Sequence, residues 1–270
     1  QHLVETVPVL PDMDLVTMLE TTVRGEACSP TVQLFTQGHT PVGNAGERVR
    51  WEMDLTVQED QLTGAGQVTQ AVQSWVSLNV DGTTNIAGLL QGQDTVGFDS
   101  LTLSMNIEDL YLQKLGQLLD VPGLGRGKIE GDTVMTVTPT TWKVDGQIVT
   151  PNVRLAKHRL TSDSGVRFDI SSAGVDAEWQ VDFEKKGALT GMVDWSFDSD
   201  ALLVSSTWED VPALLLTVGV ADVTNGYGRL GGSLLIDGTM ADPNINMLAQ
   251  LQGFGFDLPS MGLRYRDINV

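Results

Sequence analysis

Apolar and polar residues alternate with period two through most of this chain. That pattern predicts strands with one buried face, because successive side chains on a strand point to opposite sides. Val49, Trp51, Met53, Leu55 and Val57 alternate with Arg48, Arg50, Glu52, Asp54 and Thr56. Leu101, Leu103, Met105 and Ile107 alternate with Thr102, Ser104 and Asn106. Val175, Ala177, Trp179, Val181 and Phe183 are interleaved with Asp176, Glu178, Gln180, Asp182 and Glu184. The runs Val166 to Ile170, Gly191 to Phe197 (with Val193 and Trp195) and Leu230 to Ile236 (with Leu234) repeat the rule. Turn formers punctuate them at Asp81-Gly82, Asp145-Gly146, Asn225-Gly226 and Asp237-Gly238. The expectation is all-β: an antiparallel meander, dry on one side and wet on the other.

Helical spacing occurs in few places. Ile107, Leu110, Tyr111, Leu115, Leu118 and Leu119 predict one short helix, with Glu108 and Asp109 near its positive end. Trp208 to Val218 predicts a second, Pro212 suiting a first turn, and Asp14 to Glu20 a third. Glycine-rich stretches follow the first two, from Gly123 to Gly131 and from Gly226 to Gly232. Gly127 and Gly228 stand 101 residues apart, as do Gly131 and Gly232. The organisation expected is one continuous chain, 1–270, with short helices at about 100-residue spacing and approximate units 1–107, 108–207 and 208–270, the last incomplete. No Ser- or Pro-rich linker marks a boundary.

Charge narrows the partners. With 16 Lys and Arg against 35 Asp and Glu the net charge is −19. The longest basic run is Lys185-Lys186, so the chain has no face to displace counterions from a nucleic acid or to adhere to anionic lipid. An apolar fraction of 41%, to which 29 Gly add, is that of a folded chain. The single Cys28 makes an internal disulfide impossible and reads as a small buried thiol. No stretch approaches the roughly 20 apolar residues of a membrane helix. A signal-peptide start is missing, and strand patterning is still running at Asn269-Val270, so both ends read as cut.

Candidate chemistry is sparse. Gly123 to Gly127 and Gly64-Ala65-Gly66 imitate phosphate loops, but a dinucleotide fingerprint needs a strand before it and a helix after it, and here the order is reversed. Close backbone approach within a sheet is the plainer reading. His2, His39 and His158 have no ligand partner at three- or four-residue spacing, so no metal is expected. The acid pairs Asp12/Asp14 and Asp198/Asp200 lack the continuation of a calcium loop and read as turns or strand ends. No nucleophile elbow is present, and paired carboxylates carry no information in so acidic a chain. No enzyme activity and no cofactor are expected.

What remains is the dry face. A one-sided sheet of this length must be covered by a second sheet, by helices, or by something that is not protein. A closed sandwich or barrel filled by its own side chains is one solution. With only 16 aromatics, an incompletely filled, elongated fold whose apolar channel takes an acyl chain or a hydrophobic segment is another.

The C-terminal stretch adds a resemblance. Gly228-Arg-Leu-Gly-Gly-Ser-Leu-Leu-Ile-Asp-Gly238-Thr239, Pro243, and then Met261-Gly262-Leu263 with Asp267-Ile268 resemble the repeating phrase of TamB, the inner-membrane subunit of the bacterial translocation and assembly module, and of its AsmA-like relatives. Met261 stands where Leu is usual. Leu110 to Gly131 is a looser echo, close similarity spans about 45 residues, and residues 1 to 100 add only strand periodicity. The resemblance implies a long sheet curled into an open, taco-like apolar groove, in the periplasm, tethered to the inner membrane by a helix outside these residues. Relatives are thought to pass phospholipid between the membranes, or to assist outer-membrane β-barrel proteins, without catalysis.

On that reading Leu101, Leu103, Met105, Val175, Trp179, Val181, Phe183, Val193, Trp195, Phe197, Leu234 and Ile236 line the inner face, and each equally suits a packed core. The competing classes are a structural or adhesive β-repeat spacer without ligand, and an enzyme or lectin on a β-sandwich. Unpaired edge strands at both ends predict end-to-end self-association.

Overall fold

The computed structural model describes residues 16–26, 29–42, 47–58, 60–70, 73–84, 98–118, 125–155, 158–217 and 223–270. Within them fifteen strands are hydrogen-bonded antiparallel in the order of the chain, and a separate hairpin is made by β9 (Arg154–Leu155) and β10 (His158–Arg159). Two compact units share these strands: Gln1–Leu110 with Gly131–Asp145, and Tyr111–Glu130 with Gly146–Val270.

The first unit holds β1 (Val16–Glu26), β2 (Ser29–Val42), β3 (Glu47–Gln58), β4 (Gln61–Gln70), β5 (Gln73–Thr84) and most of β6 (Phe98–Tyr111). Parts of β7 (Lys128–Val137) and β8 (Trp142–Val149) complete it. Its register aligns apolar residues across strands: Leu34, Leu55, Gly64, Val80 and Leu103 form one cross-strand row, and Thr36, Met53, Gly66, Leu78 and Met105 the next. The glycines of β4 have a steric reason. A Cβ on Gly64 would strike Leu55, and one on Gly66 would lie 3.3 Å from the Cβ of Met53. Where the register slips between Val68 and Thr69, the extra residue on β5 is Trp75, which buries itself against Val49, Val68, Val76 and Leu110.

The second unit begins with α1 (Leu112–Leu118) and holds β11 (Gly165–Ser171), β12 (Gly174–Asp182), β13 (Ala188–Ser196) and β14 (Ala201–Pro212). A 3-10 turn (Ala213–Thr217) separates these from β15 (Thr224–Thr239), β16 (Pro243–Leu258) and β17 (Leu263–Ile268). Its core gathers Val153, Leu160, Phe183 and Val211, with Leu112, Leu155, Val181, Leu189, Trp208, Leu215 and Leu230 packed around them. Ser164, fully buried, ties this end together. Its hydroxyl accepts from the Asp182 N–H at 2.8 Å, and its carbonyl accepts from the N–H and the hydroxyl of Thr150.

Helix is rarer than the spacing predicts. Asp14 and Leu15 lie outside the described residues, and Val16 to Glu20 belong to β1, which pairs along its whole length with Ser29 to His39 of β2. The first predicted helix starts five residues late, because Ile107 stands opposite Val76 in the ladder and strand pairing outweighs local spacing as far as Tyr111. The second shrinks to the 3-10 turn, since Val211 and Pro212 pair with Leu230 and Arg229 beyond a bulge at which Asp210 takes φ 50°. Asp81-Gly82 and Asp145-Gly146 are not turns but strand interior, in β5 and β8, and Gly82 is needed where Leu101 crosses close by. Asn225-Gly226 likewise lies within β15, and the chain reverses after Asp237-Gly238, at residues 240–242. His2, Asp12, Asp14, Cys28, Leu119, Gly123 and Val218 lie outside the described residues.

At the far end, Asp257 accepts hydrogen bonds from Asn225 (2.7 Å) and Arg266 (2.6 Å), while the Arg266 guanidinium lies over the Tyr227 ring and Tyr265 stacks on Phe256. The Asn225 bond first, and then Arg266, hold the Asp257 carboxyl below its ordinary value. A carboxylate depressed on folding stabilises the fold in full above the unfolded value of about 3.9, and that stability is lost as pH falls through the folded value. Asp257→Asn is therefore expected to flatten the loss of unfolding midpoint in urea titrations between about pH 5 and 2. A slope equal to that of the wild type would refute the role of this carboxylate.

Candidate functional site

The candidate site is the apolar face of β11 to β16, built from register alone. One row reads Ile170, Val175, Trp195 and Leu202; the next reads Phe168, Ala177, Val193, Val204, Ile236 and Ile245. A third runs Val166, Trp179, Gly191, Ser206, Leu234 and Met247. Directly opposed residues share a face, so these rows form one continuous apolar surface. Gly191 exists for Trp179: a Cβ there would enter the indole ring. Ser206 is the polar member, and its hydrogen bonds are spent locally, donated to the Thr190 carbonyl and accepted from the Trp208 indole.

The residues singled out from the sequence divide four ways. Val175, Trp179, Val193, Trp195, Leu234 and Ile236 lie half-buried on the shared face. Val181 and Phe183 fall at its closed end, Val181 packed against the core and Phe183 inside it, with His158 edge-on to the Phe183 ring. Phe197 lies just beyond β13, 39% exposed, and meets Trp195 in a T-shaped contact at 4.7 Å. Leu101, Leu103 and Met105 occupy equivalent rows of the first unit and belong to its own apolar face.

Sequence reading missed Ile245 and Met247, which carry the rows to β16 and are largely exposed. Their alternation was present but short, and Leu248 interrupts it.

Coverage of the face is uneven. The Val181, Leu189 and Trp208 end is capped by Leu155, Leu160 and Leu215, whereas Val193, Leu234 and Ile236 lie outside that cluster and are half-buried. The Trp195 indole N–H is buried without a hydrogen-bond partner among the described residues, consistent with an apolar setting.

A cavity of about 440 Å³ opens on the opposite, polar face. By register its walls are Gly165, Gln180 and Thr190, then Arg167, Glu178, Met192 and Ser205, with Gln147, Val149 and Asp163 at one side, and Val166, Trp179 and Gly191 of the third row also border it. Its titratable lining residues are Asp163, Arg167 and Glu178, with the hydroxyls of Thr190 and Ser205 beside them. Among the described residues no group of His, Cys, Asp and Glu is placed to hold a metal ion, and no helix is long and apolar enough to cross a membrane. Asp198 stands in the exposed turn between β13 and β14, and Asp200 ends that turn with φ 54°. No protein-family model, curated protein or solved structure matches the chain.

Proposed function

We propose that the apolar face is a non-catalytic path for phospholipid acyl chains, used as the resemblance to TamB and its AsmA-like relatives implies. The sheet would curl lengthwise into an open groove in the periplasm and carry lipid from the inner membrane toward the outer one. An outer-membrane β-barrel protein is the partner on this reading, and hydrophobic protein segments are the other cargo. What supports it most is the row structure: apolar side chains aligned across six adjacent strands, half-buried over β12 to β15 and largely exposed at Ile245 and Met247. An acyl chain lying along such rows stays out of water, sparing about 0.8 kcal/mol per methylene as it leaves a bilayer. On this reading no bond is made or broken.

The test is lipid co-purification read by mass spectrometry, with Val193→Asp as the probe. Val193 lies mid-row between Ala177 and Val204, so a carboxylate there interrupts the path without touching the core cluster. Bound phospholipid is expected to fall about tenfold or more, since an unpaired charge beside methylene groups costs several kcal/mol, with the far-UV spectrum unchanged. Ile245→Asp, at a position 60% exposed, gives a second reading that the fold tolerates. Val181→Asp is a poor probe, because Val181 packs on the core and its loss unfolds the sheet end. No lipid above that of a matched control protein, or equal lipid in both path variants, would leave the spacer reading.

A further inference from the structure

We infer that the cavity on the polar face of β11 to β14 is a binding site for a neutral saccharide, held by side chains alone. It lies wholly within the second unit, and its volume of about 440 Å³ is in the range of small-molecule sites. The ladder explains why a cavity opens there. Gly165, between Val149 of β8 and Gln180 of β12, puts no side chain into its row, and longer side chains stand around the gap. Glycine is required: a Cβ would lie 3.2 Å from the Cα of Val149 and strike the Ile148 carbonyl.

The site is in the interior of the sheet, where main-chain groups are bonded to neighbouring strands. A ligand finds no strand edge to extend there, so side chains must recognise it. Val166, Trp179 and Gly191 border the cavity from the row between, but side chains of that row point to the apolar face.

Two of the lining side chains are charged and unspent. Arg167 and Glu178 stand directly opposite in the β11–β12 register, where opposite charges can pair. They form no ion pair, and neither side chain has a hydrogen-bond partner among the described residues. Beside them Gln180 opposes Thr190, and Met192 opposes Ser205. The site therefore offers a guanidinium that only donates, a carboxylate that only accepts, and amide and hydroxyl groups that do both, next to an apolar thioether.

That mixture selects among ligands. An anion would meet Asp163 and Glu178 as well as Arg167, in a chain of net charge −19. A metal ion finds no ligand group among the described residues. An apolar molecule would strip water from two charges and return nothing. A sugar hydroxyl does what the site asks, accepting from Arg167 while donating to Glu178, so that one group bridges a pair the sheet holds apart. Its neighbours on the ring reach Gln180, Thr190 and Ser205, and the C–H face of the ring rests on Met192. A free amino acid also spans the two charges, but it leaves the amide and hydroxyls of β12 to β14 without a role.

The experiment is saturation-transfer NMR of the whole chain with glucose, galactose, mannose and N-acetylglucosamine at millimolar concentration. Transfer to ring C–H protons of at least one sugar is expected, with an affinity of about millimolar that added salt leaves unchanged, because the ligand is neutral. Arg167→Ala and Glu178→Ala, both at exposed positions, should each weaken binding about tenfold while the far-UV spectrum stays that of the wild type. In a chain labelled at its methionine methyl groups, the Met192 signal should shift with the sugar and that of Met53, in the first unit, should not. Val193→Asp, on the other face, should bind sugar normally, so the inference stands or falls apart from the lipid reading. Transfer to none of the sugars would overturn it, as would transfer undiminished in both alanine variants or an unmoved Met192 signal. So would binding abolished by salt, or displaced by glycine, which would mark a ligand recognised by its charges.

Discussion

Trp75→Ala is expected to lower the stability of the first unit by about 3–5 kcal/mol, the range for removing a buried Trp whose site cannot collapse. The indole is 2% exposed, and it fills the space that the β4–β5 bulge opens against Val49, Val68, Val76 and Leu110. Trp75→Phe is expected to cost far less, about 1 kcal/mol or below, despite the smaller ring. The indole N–H is buried without a hydrogen-bond partner among the described residues, and phenylalanine removes that unpaid donor along with some volume. Urea unfolding of both variants, followed by circular dichroism, checks the pair. Equal losses for the two would mean that packing volume alone decides this site and that the orphan N–H costs nothing.

The second large effect comes from backbone shape. Gly127, just before β7, and Gly228, at the register slip between Tyr227 and Arg229 in β15, take φ 127° and 109°, each pressed against the main chain of another segment. A Cβ on Gly127 would lie 2.7 Å from the Cα of Val153 and collide with the Asn152 carbonyl; one on Gly228 would lie 2.7 Å from the Cα of Phe254. Alanine at either position combines torsional strain with a clash that no rotamer relieves, and about 2–4 kcal/mol of destabilisation is expected. Gly231→Ala is the control. The nearest atom to its added methyl is 3.6 Å away, its φ is not left-handed, and its effect is expected to be neutral or stabilising by about 0.4–1 kcal/mol. Thermal melts of the three variants would refute the assignment if Gly231→Ala were as damaging as the other two.

These sites mark the limits of what the sequence discloses. Alternation located β3, β6, β11, β12 and β13 directly, because a one-sided strand writes its burial into every second residue. Alignment between strands, which turns separate runs into continuous rows, was not legible: it depends on register, and loop sequences do not fix register when their Asp-Gly pairs lie inside strands. Asp81-Gly82 misled for this reason, its glycine answering a neighbouring strand rather than a turn. The helix at Leu112 was visible but its start was not, since Ile107 satisfies both periods and its pairing with Val76 of β5 settles the matter. Six of the twelve residues singled out share the face of β12 to β15, whereas the role of Phe183 turned on Val153, Leu160 and Val211, brought from distant parts of the chain.

Strand order following chain order has a consequence for how the molecule is made. Apart from the β9–β10 hairpin, which stands between β8 and β11 in the chain, each strand of the large sheet is hydrogen-bonded to its neighbours in synthesis, so the ladder waits for no distant residue to leave the ribosome. Assembly can proceed like a zipper, every newly emerged strand finding the preceding edge already laid down as its template. Growth by such addition leaves a single advancing margin open at any moment, and it lets evolution lengthen or shorten the ribbon by whole hairpins without redrawing the rest.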